Sequence, residues 1–168
     1  MSRYLVAATD PVAHALLAAA VVAPLGRGAV RTAVVAGTVI DVDHIVAARS
    51  AWPRALIGLE TRPRSHALLG AVALGAVGTA AGGITHGWAA FAGLASHLLR
   101  DASDDAAPTP LLWPWHPPRQ IGRAWAAAGV AALTLGSFGL SRLATTRARL
   151  PSAAVAGDGG DTAPPRTA

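Results

Sequence analysis

Residues 66–101 read "HALLGAVALGAVGTAAGGITHGWAAFAGLASHLLRD", a stretch of small and apolar residues with polar groups at both ends. It contains two apolar segments, 66–84 and 88–99. A helix needs about 20 residues, with about 17 as the lower limit, to cross the bilayer core. The first segment meets that length and the second does not. We therefore expect the second segment to be re-entrant or to be sheltered by its neighbours.

Three more apolar segments lie outside this stretch, at residues 4–25, 32–48 and 121–140. The chain of 168 residues is 52% hydrophobic and 14% charged, with a mean hydropathy of +0.42, whereas soluble domains carry about 25% charged residues. We predict an all-α, polytopic membrane helical bundle of about four to five helices over residues 1–142, in the plasma membrane. The Pro/Gly/Ala-rich remainder, 143–168, is predicted to be a disordered tail.

A cleaved signal peptide is disfavoured at the N-terminus. The first apolar segment follows Arg3, as the apolar centre of a signal peptide would. However, Asp10, Pro11 and His14 interrupt that segment, which is unfavourable for such a centre. We therefore expect the first segment to be a helix of the bundle.

The charged residues indicate which partners to expect. All 14 basic residues are arginine, the net charge is +5, and most arginines lie between the apolar segments. That distribution is typical of loops that face lipid headgroups, and the sequence has no base-reading motif. The expected partners are membrane lipids and an unidentified small-molecule or lipid substrate, not nucleic acid. Because the chain has no cysteine, metal ligands would have to be His, Asp or Glu.

Polar residues of the first four segments fall at one end of the predicted bundle. If the helices cross in alternation, the start of the first, the end of the second, the start of the third and the end of the fourth lie at one membrane face. An aspartate at the centre of a membrane helix costs about 2.5–3.5 kcal/mol, so such groups require compensation. A divalent cation would provide it, with zinc as the first choice and manganese or iron as alternatives. The residues at these positions are His14, Asp41, Asp43, His44, His66, His97 and Asp101.

Spacing within the segments favours a metal site. His97 and Asp101 are four residues apart, so both project from one helix face. Asp41 and His44 are three apart and also share a face. Asp43 would point elsewhere on a regular helix. We therefore expect either that the second helix ends near Asp41 or that Asp43 makes a separate contact.

Each of these residues also has a structural interpretation. Taken alone, His14 or His66 could be a hydrogen-bonded core histidine. Asp41 could cap a helix or pair with Arg62 or Arg64. Only the convergence of the whole set points to a metal.

Four motifs in order carry a family resemblance: "TVIDVDHI" (38–45), "RPRSHALLG" (62–70), "ASHLLRDASD" (95–104) and "PTPLLWPW" (108–115). Over roughly residues 10–125 the chain resembles the YdjM-like family of membrane-bound, predicted metal-dependent hydrolases. That family is distantly similar to the helical zinc-dependent phospholipase C and S1/P1 nuclease group, which implies phosphoester hydrolysis, including at lipid headgroups. The resemblance implies metal-binding roles for His14, Asp41, Asp43, His44, His66, His97 and Asp101.

The chain departs from the family pattern at residues 61–67. Where the family usually has His-Arg-Gly-x-Thr-His-Ser, this sequence has "TRPRSHA". Thr61 therefore stands in place of the first histidine, while Arg62 and His66 are retained. The missing histidine counts against a complete ligand set or a second metal ion.

Our hypothesis is a membrane-bound metal-dependent hydrolase in which the metal activates water. Asp43 and Asp101 are the candidate catalytic residues, as a base or a bridging ligand. Arg62 and Arg64 are the candidate substrate-binding residues, which would hold a phosphate, although they could also be ordinary loop charges. The alternative is a non-enzymatic membrane protein, either a metal or proton transporter or a structural bundle. A transporter would place its polar groups along a path near the midplane rather than at one end.

The arginines also suggest an orientation. Those on the side of the predicted site outnumber Arg27 and Arg31 of the first loop, which places the site at the cytoplasmic face. Arg142, Arg147 and Arg149 count against this orientation unless the fifth helix does not cross. The arginines on the site side are Arg3, Arg49, Arg54, Arg62, Arg64, Arg100, Arg119 and Arg123.

Overall fold

The computed structural model describes residues 3–50, 60–104 and 107–149. Within them, extended structure is limited to an isolated antiparallel bridge between Thr109 and Arg119. The described part of the chain is therefore all-α, as predicted. Its helices are α1 (Arg3–Val22), followed by a 3₁₀ turn (Ala23–Leu25), α2 (Arg27–Val39), α3 (Val42–Ala48), α4 (Leu68–Ser103) and α5 (Arg123–Arg149).

Helix α4 is a hairpin of two helical arms, 68–82 and 84–103. At Gly83 the backbone leaves the helical region, with φ 78° and ψ 179°, a conformation that glycine adopts at little cost. The arms then run antiparallel, since a Cβ built on Gly75 would lie only 3.0 Å from the Cβ of Phe91. The turn therefore brings the first residues of α4 beside its last residues, at one end of the bundle.

The second arm of α4 is enclosed by its neighbours. Residues 92–98 are all buried. Helix α2 approaches this arm closely, because a Cβ built on Gly93 would lie 2.4 Å from the carbonyl oxygen of Ala33. Small residues at such a contact allow two helix backbones to approach. Of the two alternatives for the short apolar segment 88–99, the sheltered one is confirmed.

The second apolar segment, 32–48, is divided between two helices. Helix α2 ends at Val39, and α3 begins at Val42. The prediction that the helix ends near Asp41 is confirmed. At the junction the backbone bonds tighten to the i→i−3 pattern, with the N–H of Asp43 donating to the carbonyl of Ile40, and the Asp43 side chain contacts Ser65 and His66, which precede α4.

The C-terminal helix is longer than predicted. Helix α5 continues to Arg149, past the end of the apolar segment 121–140. Residues 143–149 are helical, so the predicted tail boundary at 143 is corrected to a point after the helix. The rest of the predicted tail lies outside the described residues.

Two of the described helices, Leu68–Ser103 and Arg123–Ala148, are long and apolar enough to cross a membrane. The core helix of a soluble protein can pass the same test, but such a helix is mostly buried. Here only 11% of the most apolar 18-residue stretch of the first helix is buried, and 17% of that of the second. The apolar side chains of these two stretches therefore face outward. The first of these helices is folded in two at Gly83.

Candidate metal centre

The predicted polar residues come together at one end of the bundle, where α1, the α2–α3 junction and both ends of α4 meet. Their side chains form three overlapping groups whose potential ligand atoms lie within 4.8 Å of one another. His14, His66, His97 and Asp101 are at most 1% exposed. We call the set the His/Asp cluster: His14, Asp41, Asp43, His44, His66, His97 and Asp101.

Two imidazole nitrogens, of His66 and His97, lie close to each other and to carboxylate oxygens of Asp41 and Asp101, at what we call the central position. Nε2 of His97 lies 3.3 Å from Nε2 of His66 and 3.1 Å from Oδ2 of Asp101. Oδ1 of Asp41 lies 3.5 Å from the His97 Nε2 and 3.9 Å from the His66 Nε2. Ligands about 2.0–2.2 Å from a tetrahedral zinc ion lie about 3.3–3.6 Å from one another. These donors therefore have the spacing of a coordination sphere.

The buried carboxylate of Asp101 fits this interpretation. Neither of its oxygens accepts a hydrogen bond of normal geometry. Nitrogens of His14, Arg62 and His97 lie 3.0–3.2 Å from these oxygens. A buried carboxylate is costly unless cations or hydrogen-bond donors compensate it. The lone pairs of Asp101 are thus directed at positively charged or metal-binding groups.

Contacts on the far side of two imidazole rings orient them toward the central position. Nδ1 of His97 lies 2.7 Å from the carbonyl oxygen of Gly37, to which it donates. Nδ1 of His66 lies 3.1 Å from Oδ2 of Asp43. A metal-binding histidine commonly donates its other ring N–H to a carbonyl or carboxylate, which leaves the second nitrogen free for the metal. In both rings that second nitrogen is Nε2.

Asp43 lies behind the central position and holds His66. Ser65 donates its hydroxyl to the same Asp43 oxygen that His66 contacts, and Nδ1 of His44 lies 3.2 Å from the other oxygen. Burial alone would raise the pKa of Asp43, but the hydrogen bonds from His44, His66 and Ser65 hold it below its usual value. Burial disfavours charged His66, whereas Asp41 and Asp43 outweigh that effect and raise its pKa.

A second group of donors lies on the other side of Asp101; we call it the Arg100 position. Nε2 of His14 lies 3.2 Å from Oδ1 of Asp101 and 3.5 Å from Oδ2 of Asp10. Nη1 of Arg100 lies 2.9 Å from the same His14 nitrogen and contacts Oδ1 of Asp10. The His14 ring also stacks on His97, with ring centres 3.7 Å apart.

Sequence reasoning missed Asp10 and Arg100 as members of this site. A signal for Asp10 was present, because it lies four residues before His14, the spacing that links His97 to Asp101. Arg100 precedes Asp101 directly, and sequence alone assigned it to loop charge.

Arg62 and Arg64 occupy different environments. The side chain of Arg62 is 11% exposed, with Nη1 at 3.0 Å from Oδ2 of Asp101 and Nη2 at 2.9 Å from Oδ2 of Asp104. Arg62 therefore does form ion pairs, but with Asp101 and Asp104 and not with Asp41. Arg64 is exposed, and its guanidinium lies 5.7 Å from the ring centre of Trp113.

Both arginines line a pocket beside the cluster. It has a volume of about 440 Å³, and no acidic residue is among the described residues that line it. Arg62 connects the pocket with Asp101 of the central position. His116 belongs to this pocket and not to the His/Asp cluster. The main lining residues are Thr61, Arg62, Arg64, Trp113, Trp115 and His116.

Comparison of the chain with protein-family models, with curated proteins and with solved structures finds no match. The site is therefore described by its own geometry. The buried His and Asp groups could hold a metal ion, and the nitrogens of His66 and His97 lie from each other and from the carboxylates at distances close to those of a tetrahedral coordination sphere.

Proposed function

We propose that this protein is a membrane-bound, metal-dependent hydrolase that acts on phosphoesters, including those of phospholipid headgroups. The observation that carries the proposal is the central position, where Nε2 of His66 and Nε2 of His97 lie 3.3 Å apart and each lies 3.1–3.9 Å from a carboxylate oxygen of Asp41 and of Asp101. A divalent cation held there would lower the pKa of a coordinated water toward neutrality, which is the chemistry that hydrolysis needs. Zinc is the first candidate, because His and Asp ligands at tetrahedral spacing suit it, with manganese and iron as alternatives.

Protein side chains would have separate roles at this site. Asp101 is a ligand, and its two oxygens face two different positions. Asp43 acts through His66, since it holds the Nδ1 side of that ring and so directs Nε2 inward. We therefore assign Asp43 a positioning role rather than that of a base.

The adjacent pocket supports an anionic substrate. The described residues of its lining include two guanidinium groups and no carboxylate, and guanidinium groups bind phosphate oxygens through paired hydrogen bonds. The indole rings of Trp113 and Trp115 line the same pocket. Arg64 is the exposed guanidinium of the two, whereas both terminal nitrogens of Arg62 already contact carboxylates. A phosphate held in the pocket by Arg64 would have the Arg62 guanidinium between it and Asp101.

The outer surface supports a membrane location. Large apolar side chains on helices α1, α2, α4 and α5 are exposed: for example Leu16 is 67% exposed, Val35 59%, Val77 63% and Leu135 70%. Contiguous exposed apolar surface of this kind marks contact with a membrane or a partner. By the distribution of arginines, the end that carries the cluster faces the cytoplasm.

Metal content is the experiment that tests the proposal first. We expect the detergent-purified chain to contain stoichiometric metal by plasma mass spectrometry, and His97→Ala to lose it. His86→Ala is the matched control, because His86 lies away from the cluster and bonds Thr32. Metal-free wild type, even after incubation with zinc or manganese, would remove the basis of the proposal.

Hydrolysis is tested next, with p-nitrophenyl phosphate, bis(p-nitrophenyl) phosphate and phospholipid vesicles as substrates. For the variant Arg64→Ala we expect a KM increase of about 10-fold with unchanged metal content, since one charge-assisted hydrogen bond contributes about 1.5–3 kcal/mol when shielded and less at an exposed rim. Arg119→Ala removes the same charge from the neighbouring loop outside the pocket and should leave KM unchanged. A protein that binds metal stoichiometrically and hydrolyses none of these substrates would instead favour the non-enzymatic alternative.

A further inference from the structure

We propose that Arg100 occupies the place of a second metal ion. The His/Asp cluster then binds one divalent cation, at the central position, and becomes a two-metal site when Arg100 is removed. This inference rests on the metal binding in the proposed function. It concerns a second set of donors, formed by Asp10, His14 and the Oδ1 atom of Asp101, whose other oxygen belongs to the central position.

The carboxylate of Asp101 faces two positions at once. Its Oδ2 lies 3.1 Å from Nε2 of His97 and 3.6 Å from Nε2 of His66. Its Oδ1 lies 3.2 Å from Nε2 of His14. Enzymes with two metal ions about 3.5–4 Å apart hold both ions in such an arrangement. The Asp101 carboxylate would therefore hold one cation through each oxygen if both positions were occupied.

The donors of the Arg100 position are in place for a cation. Nε2 of His14 lies 3.5 Å from Oδ2 of Asp10, and the His14 side chain is 1% exposed. One imidazole and two carboxylates are a set that binds zinc, manganese or iron.

A guanidinium nitrogen already lies among these donors. Nη1 of Arg100 is 2.9 Å from Nε2 of His14 and contacts Asp10. Arginine keeps its charge at every physiological pH, so Arg100 compensates the carboxylate of Asp10 permanently. Because this nitrogen lies at hydrogen-bond distance from His14, a metal ion cannot bind the same imidazole nitrogen while Arg100 is there.

Removal of Arg100 would leave Asp10 without its ion-pair partner and would free Nε2 of His14, while Asp101 would keep its contact with Arg62. The freed imidazole nitrogen and the carboxylates beside it then attract a second divalent cation to the place of the guanidinium. Lysine, which keeps the positive charge, would not create this demand. The prediction therefore concerns the number of metal ions per chain and does not depend on enzymatic activity.

The test uses the full chain in detergent, titrated with Zn²⁺ and analysed by plasma mass spectrometry and calorimetry. We expect one zinc per chain in the wild type, two in Arg100→Met and one in Arg100→Lys. Arg62→Met is the matched control, because it removes the same charge from the other side of Asp101 and should remain at one. The double variant His14→Ala/Arg100→Met should return to one, since it lacks a donor of the second position.

The zinc counts distinguish failure of the Arg100 inference from failure of the proposed function. One zinc in both the wild type and Arg100→Met overturns this inference and leaves the central position intact. Two zinc ions in the wild type also overturn it, because Arg100 would then not exclude the second ion. No zinc in either protein overturns the proposed function as well. Should Arg100→Met fail to fold, as judged by gel filtration and thermal unfolding, Arg100→Gln carries the same test with the same outcomes.

Discussion

Histidine occurs at both ends of the bundle, but its contacts differ between the two ends. At the far end, near the Gly83 turn, Nδ1 of His86 lies 2.8 Å from the hydroxyl oxygen of Thr32. At the other end, imidazole rings and carboxylates of the His/Asp cluster lie 3.1–3.9 Å apart. The part-buried His86 has a neutral hydroxyl as partner and no carboxylate among its described contacts, whereas several carboxylates enclosed together require cations. The comparison separates a structural histidine from a candidate metal ligand.

The largest effect, on zinc affinity, is expected at Asp43, which contacts His66 behind the central position. Asp43→Ala should weaken zinc binding about 10–100-fold, because His66 would lose the partner that orients its ring. Asp43→Asn can still accept from the His66 Nδ1–H and should recover most of the affinity. Zinc titration in the presence of a competing chelator measures both. Equal loss in the two variants would show that Asp43 binds the metal directly.

A smaller effect is expected where helix packing sets the position of His97. Gly93→Ala should lower the free energy of unfolding by about 1–2 kcal/mol, because its new methyl group would overlap the carbonyl of Ala33. Gly139→Ala is the control, since a Cβ there meets nothing within 4 Å, and it should be neutral or stabilising. Thermal unfolding in detergent compares the two. Equal stability of these variants would mean that the α2–α4 contact is looser than described.

The smallest effect is expected at the far end. His86→Ala should cost about 1 kcal/mol of stability, because it removes one hydrogen bond, and it should leave the zinc content unchanged. The same thermal unfolding and metal analysis apply. Loss of zinc in this variant would break the distinction between the two ends of the bundle.

Much of the site could be predicted because, when helices cross in alternation, the end of one segment and the start of the next lie at the same end of the bundle. His14, His66 and His97 were brought together on that basis, and the structure places them in one cluster. The short segment 88–99 was a harder case. The apolar segment is shorter than the second arm of α4, 84–103. The arm also contains polar residues, which neighbouring helices bury, and these do not count in an apolar run.

The identity of the contacts could not be predicted. Sequence placed Arg62 and Arg64 together as phosphate-binding residues, but Arg62 pairs with Asp101 while Arg64 packs on Trp113. Two residues apart on an irregular segment, they point in directions that only the surrounding loops determine. Arg100 was missed for the same reason, because its partner Asp10 lies 90 positions away in the chain.

The sequence by itself determined which segments are helical and apolar, and which polar residues lie at a common end, because both follow from local composition and the order of the segments. Tertiary structure alone decided which ring nitrogens face the central position and which carboxylate oxygens face Arg100. Those choices depend on helix register, which close contacts such as that of Gly93 with Ala33 set over long separations in the chain. Coordination is decided within tenths of an ångström, and local sequence patterns do not specify distances between helices at that precision.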